Sequence, residues 1–281
     1  MTEKKERKGV TWLASYPKSG NTWLRLLMSA YRRNGLLNIN DTRETYSDGG
    51  TILINAVSAV PATSLDMEGQ FLLRPAALQH FFCHHREPVY CKTHFVNIRP
   101  DGDSPHLIPK TLTKNAIYIV RDPRSVAISA SRFFQFATNN MVDTMNFKDF
   151  TIGGNETYAH QLVSSWSNHV ASWVGEKDFP VHVVKYEDML EDPARELTEV
   201  LEFLGEDVDK VVVKKAVKAA EISRMQKAEK ESGFAENNSR GGEFFGSGGG
   251  TRWEDELGPK FIRQIEEDHG DIMRAMGYLD E

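Results

Sequence analysis

The stretch WLASYPKSGNTWLR (Trp12 to Arg25) sets Lys18, Ser19, Gly20, Asn21 and Thr22 between an apolar run and an amphipathic one. A strand that ends in a tight glycine-containing turn and feeds a helix leaves several free backbone N–H groups aimed at one point. The positive end of the helix dipole lies at that point too. One cation and several short side-chain donors complete a seat for an anion, a phosphate above all. A plain βα turn with Lys18 in solvent would show the same spacing, so other segments have to decide. The pattern is not the G-x-x-x-x-G-K-[ST] turn of nucleoside triphosphatases, because Lys18 precedes Gly20 and no upstream glycine is in place. No strand ends in an acid suited to Mg²⁺, since Asp122 reads as a helix cap. The turn reads as a phosphate seat built to work without a metal.

Three further stretches carry chemistry. In YCKTHF, Lys92 and His94 stand at i and i+2 near a strand end, which puts them on one face. In YIVRDPRSVAISASRFF, Arg121 ends a strand, and Ser125, Ser129 and Arg132 follow along one helix face. FFGSGGGTRW supplies a glycine-rich loop before Trp253. A lone strand-end histidine is more often a satisfied structural residue, but Lys92 and the phosphate turn give His94 a functional setting. The other histidines, His169 among them, have no such neighbours. His84-His85 has no evident third ligand, and no metal site is expected.

These residues need elements to hold them. Apolar runs predict strands over Val10–Tyr16, Val89–His94, Ala116–Arg121 and Val181–Tyr186. A helix is predicted over Asn21–Asn34, with Trp23, Leu24, Leu27, Met28 and Tyr31 at helical spacing. Asp122 as N-cap and Pro123 as first helical residue predict another through about Phe136. Further helices are predicted over Tyr158–Val174, Pro193–Leu204, Val208–Ala220 and Pro259–Met276. Residues 36–80 read as loops and short helices, and 232–250, with seven glycines, as a mobile loop. Strands alternating with helices predict an α/β fold, a central parallel sheet flanked by helices in a single domain over 1–281, with residues 1–9 as a disordered tail.

Composition narrows the partners. A net charge of −6 argues against a nucleic-acid or polyanion partner. Two cysteines, Cys83 and Cys91, make no disulfide framework. No run of eighteen apolar residues and no secretory leader pattern is present, so a cytoplasmic protein without a membrane segment is expected.

In that order, YPKSGNTW, KTH, VRDPRSVAIS and a glycine-rich loop with Trp253 closely resemble the cytosolic-type PAPS-dependent sulfotransferases. PAPS is 3′-phosphoadenosine-5′-phosphosulfate. The resemblance runs from residue 11 to about 278. It implies the sulfotransferase fold, with Lys18, Ser19, Gly20, Asn21 and Thr22 around the 5′-phosphosulfate and Trp23 stacked on the adenine. It implies that Arg121 and Ser129 hold the 3′-phosphate, with Tyr186 near the cofactor and Ile222 on the adenine side. His94 matches the catalytic base, and Lys92 the cation beside the transferring sulfonate. Gly246 stands where many members carry an arginine that grips the 3′-phosphate, which leaves Ser247 and Gly248 as donors there. The dimer motif of some members is not matched, and the oligomeric state is left open. The implied reaction moves a sulfuryl group to a hydroxyl of a small molecule, without a metal. Phe95, Phe133, Phe134, Phe147 and Phe245 suggest a hydrophobic alcohol or phenol. The alternatives are a P-loop-type kinase, lacking its glycine and Mg²⁺ acid here, or a non-catalytic nucleotide-binding module.

Overall fold

The computed structural model describes residues 9–41, 43–83, 85, 89–101, 103–237, 242–246 and 253–280. Its strands are β1 (Val10–Ser15), β2 (Tyr46–Ser47), β3 (Val89–Thr93), β4 (Thr113–Val120), β5 (Thr151–Ile152), β6 (Gln161–Leu162) and β7 (Val181–Lys185). The first six helices are α1 (Asn21–Arg32), α2 (Thr51–Asn55), α3 (Met67–Phe82), α4 (Pro123–Phe134), α5 (Thr138–Asn146) and α6 (Trp166–Val174). The rest are α7 (Tyr186–Glu191), α8 (Pro193–Phe203), α9 (Lys210–Ala219), α10 (Ile222–Ser232), α11 (Trp253–Glu256) and α12 (Pro259–Ala275).

The main sheet is parallel throughout, in the order β2-β3-β1-β4-β7. All six residues of β1 are buried, because the strand is central and helices cover both faces. Side chains alternate across it. Trp12, Ala14 and Tyr16 join Ala116, Tyr118 and Val120 on the face packed by α4, α6 and α12. Leu13, Ile117, Ile119 and Val184 form the other face, against Leu24, Leu27 and Met28 of α1 and Leu197 and Val200 of α8. The α/β fold with a central parallel sheet is therefore the one its alternating pattern predicts.

Strand order is what makes a site. The chain leaves β1, adds β3 on one side of it, then crosses to add β4 on the other. The carboxyl ends of these neighbouring strands thus open around one crevice, the place where ligands bind in open α/β sheets. The turn with Lys18 follows β1, His94 follows β3, and Arg121 follows β4.

Two predicted spans differ from the structure. The helix expected from Tyr158 begins at Trp166, capped by the Ser165 hydroxyl, which accepts from the Asn168 N–H. Ser164 takes a left-handed conformation (φ 67°) that ends any earlier helix, and Gln161–Leu162 instead pairs antiparallel with Thr151–Ile152. Within 36–80, α3 is sixteen residues long, capped by Asp66 and containing Pro75; its apolar residues lie on several sides rather than on one stripe. The sequence pattern does not predict α5, α7, α10 or α11, and Tyr186, expected as a strand end, opens α7. Asp122 does cap α4, accepting from the Arg124 N–H, with Pro123 at its first position. Of 232–250, the segments 238–241 and 247–250 lie outside the described residues.

Candidate active site

The turn between β1 and α1 is strained into shape. Lys18 adopts φ 67°, uncommon for a side-chain-bearing residue, and Gly20 adopts φ 101° as the N-cap of α1. Only glycine fits at 20 for a second reason: a Cβ there would overlap Cδ2 of the Tyr186 ring and lie 3.0 Å from Cε2. Arg121 holds the turn from β4, its Nη1 donating to the Lys18 carbonyl at 3.2 Å. Asn21 Nδ2 donates to the Leu13 carbonyl at 2.8 Å and to Ser15 Oγ at 3.3 Å. The Asn21 amide therefore ties the turn to its strand, and only its backbone N–H remains for an anion. This corrects its expected role as a side-chain ligand.

The polar groups around the turn are short of partners. Ser19 Oγ and Arg121 Nε are buried and unpartnered among the described residues. The first N–H groups of α1 have no intrahelical acceptor by the geometry of any helix start. Ser129 stands half-buried on α4. Lys18 Nζ lies 4.3 Å from the centroid of Phe133 and 4.2 Å from that of Phe244. Burial pulls its pKa down to about 8, helped by the charges of Arg121 and Lys92 and opposed by Glu229. A half-buried ammonium between two rings, beside a helix N-terminus, is a site that gains from an anion.

Beside it, Arg121 stacks its guanidinium 4.2 Å from the Tyr186 ring centroid. Trp23 meets that ring edge-on at 5.9 Å, and its Nε1 donates to the Ala220 carbonyl at 3.0 Å. Ile222, the first residue of α10, packs with Trp23 around the same apolar cluster. The sequence-predicted Trp23, Tyr186, Arg121 and Ile222 are thus gathered on one side of the turn. Ser247 and Gly248 lie outside the described residues.

On the other side stands His94. Its Nδ1 is 2.8 Å from the Ser15 carbonyl oxygen, which can only accept. Nδ1 therefore carries the proton, and Nε2 keeps the lone pair in the neutral ring. Burial, with the nearby Lys92 charge, pushes the His94 pKa well below the ordinary histidine value. The ring is neutral at physiological pH and basic at a defined nitrogen. Its backbone is fixed in turn: His169 Nε2 donates to the His94 carbonyl at 3.3 Å, and His169 Nδ1 accepts from Tyr118 OH at 2.8 Å. Burial lowers the His169 pKa to about 3, so this histidine stays neutral and structural.

Lys92, expected as the cation beside the sulfonate, pairs with Glu236 at 3.1 Å. Sequence reasoning missed Glu236, His169, Tyr118 and Phe244, because their relation to His94 and Lys18 spans up to 226 positions of chain with no local signal. Phe95, offered as acceptor wall, is core: it is 2% exposed and packs against Arg74 and Phe71. Phe245 is buried as well, its ring tilted against Phe234, whereas Phe133 and Phe134 are half-buried and Phe136 and Phe147 exposed.

The model of the sulfotransferase domain family matches residues 8–277. The chain belongs to the sulfotransferase domain family. Sulfotransferase 1B1 of Canis lupus familiaris is 28% identical over 225 residues, which cover 76% of this chain and 65% of that protein. The match thus spans slightly under two thirds of that relative. The structure resembles that of mouse sulfotransferase SULT7A1 complexed with PAP at 21% identity and TM-score 0.61, over 95% of this chain and 84% of the other. It also resembles retinol dehydratase in complex with androsterone and PAP at 18% identity and TM-score 0.63, over 94% and 80%. In this sulfotransferase domain no described helix is long and apolar enough to cross a membrane.

Proposed function

We propose that the protein is a PAPS-dependent sulfotransferase that sulfates a hydroxyl of a small, largely apolar alcohol or phenol. The observation that carries the reading is His94: its Nδ1–H is committed to the Ser15 carbonyl, which leaves Nε2 as the base. That base stands beside Lys92 and next to an anion-seeking turn. The family membership and the PAP held by mouse SULT7A1 and by retinol dehydratase favour the same nucleotide here.

The residues fit that nucleotide. Lys18, Ser19, Gly20, Thr22 and the backbone N–H of Asn21 would hold its 5′ end, and the orphaned Ser19 Oγ is a donor in want of an acceptor. Arg121, whose Nε is likewise unpartnered, and Ser129 would hold the 3′-phosphate. Trp23, Tyr186 and Ile222 would flank the adenine, and their flat or apolar surfaces suit it. Bound PAPS supplies the sulfuryl group. His94 Nε2 takes the proton from the acceptor hydroxyl, a task that needs the neutral ring its burial provides. Lys18 and Lys92 offset the charge that spreads over oxygen atoms in such an in-line transfer. Phe133 and Phe244, which flank Lys18, would wall the acceptor together with Phe134, which packs on Phe133.

Calorimetric titration with adenosine 3′,5′-bisphosphate and with AMP tests the reading. A clear preference for the bisphosphate is expected, since Arg121 and Ser129 have no counterpart to meet in AMP. Equal affinity would remove the 3′-phosphate assignment. Turnover that persists in EDTA would separate sulfuryl transfer from Mg²⁺-dependent kinase chemistry.

A further inference from the structure

Glu236 is an acid among cations at the centre of an anion site. Its Oε2 lies 3.1 Å from Lys92 Nζ, and the same carboxylate accepts from both Nη atoms of Arg25, one at 3.3 Å. Arg25 is 7% exposed and lies one helical turn beyond Asn21 on α1. Lys92 lies on β3, two residues before His94. The segment that carries the acid is clamped on both sides of it. Asn40 Oδ1 accepts from the Ala235 N–H at 2.7 Å, and its Nδ2 donates to the Gly233 carbonyl at 3.0 Å. Asn237 Nδ2 donates to Glu229 at 3.0 Å. A carboxylate held this way is placed by design of the fold rather than by the wandering of a loop.

We infer that Glu236 is a positioning residue for the transfer: it fixes the Lys92 ammonium beside His94, with Arg25 as the opposing cation. The inference rests on the proposed reaction and deepens it. Without the acid, Lys92 and Arg25 would be two like charges forced together in a poorly solvated crevice. The groups that face Lys92 are Arg25 from α1, Lys18 from the turn, His94 from its own strand, Glu236, and Asp48, which is itself paired with Arg74 of α3. Burial pulls the Lys92 pKa down and Arg25 pulls the same way, whereas Glu236 and Asp48 push it up. The acid thereby favours the charged form of Lys92 against the burial that opposes it. Two cations and one acid also leave one unbalanced positive charge for the incoming sulfonate.

The two neighbours of Lys92 pull in opposite directions, and this gives a test that a merely structural role does not meet. PAPS carries the sulfuryl group and adenosine 3′,5′-bisphosphate does not, so the pH dependence seen with the first and absent with the second reports on Lys92. Calorimetry with both nucleotides, from neutral to alkaline pH, is expected to show a loss of affinity specific to PAPS. In Glu236→Gln that alkaline limb moves down, because the charge that pushes the Lys92 pKa up is lost. In Arg25→Gln it moves up. Unchanged affinity for the bisphosphate at neutral pH shows that the variants fold; should Glu236→Gln not fold, Asn40→Ala is expected to move the limb the same way by less. A limb that stays put, or moves the same way in the Glu236 and Arg25 variants, overturns the inference. Binding of the bisphosphate with no PAPS-specific limb in the wild type removes Lys92 from the sulfonate and the inference with it, while leaving the nucleotide site standing.

Discussion

Gly20→Ala is the substitution for which the structure gives the sharpest magnitude. Two separate penalties act at this one position. The left-handed backbone, φ 101°, costs an alanine roughly 1–2 kcal/mol relative to glycine. The new Cβ would overlap the Tyr186 ring, which is 8% exposed and held by Trp23 and Arg121, and cannot retreat freely. Such overpacking costs about 1–3 kcal/mol. The sum is about 2–5 kcal/mol, or a drop in Tm of roughly 3–9 °C for a chain of 281 residues. Denaturant unfolding measures the first quantity and a thermal melt the second. The two penalties can be told apart by a double-mutant cycle with Tyr186→Ala, because removal of the ring relieves the overlap and leaves the backbone cost. A coupling of about 1–3 kcal/mol is expected, with the double variant more stable than additivity predicts. Additive effects, or a Gly20→Ala protein within about 0.5 kcal/mol of the parent, the ordinary range for an unremarkable surface change, would refute the reasoning.

Other outcomes follow from the same geometry. His94→Ala should reduce sulfuryl transfer to a phenolic probe such as 2-naphthol by about 10²–10⁴, with bisphosphate affinity within a few-fold of wild type; near-normal turnover would point to another base. The base form of His94 exists above its lowered pKa, so the acid limb of turnover should lie below the ordinary histidine range rather than near 6.5; a pH–rate profile checks it. Lys18 is charged below its pKa of about 8, so the free protein's affinity for the bisphosphate should weaken as pH rises through that value; calorimetry at stepped pH would show it. Gly246→Arg meets no described residue within 4 Å of its Cβ, and should tighten bisphosphate binding by about 1.5–3 kcal/mol if a charge-assisted hydrogen bond forms. No gain would mean that existing donors already fill the place.

What the sequence determined by itself is local. The turn from Tyr16 to Trp23, the Asp122-Pro123 start of α4 and the alternation of β1 are all written in residues that are neighbours along the chain. Their signals are short-range: a glycine that frees φ, a carboxylate that caps, a period of two that divides a strand between two faces. Lys18, Lys92, His94 and Arg121 were legible for the same reason, each at a strand end that its own segment defines. The false helical start at Tyr158 was local too, because the left-handed Ser164 and the pairing of Gln161 with Ile152 leave no mark in apolar spacing. Tertiary structure decided which of these groups meet and in what state. It brought Glu236 onto Lys92 and Arg25, laid Phe244 over Lys18, and turned Asn21 inward to Leu13. It also chose the basic nitrogen of His94, since that choice depends on a carbonyl seventy-nine positions away. Charge state and tautomer are set by burial and by partners across the crevice, and neither exists until the parallel sheet has placed three strand ends side by side.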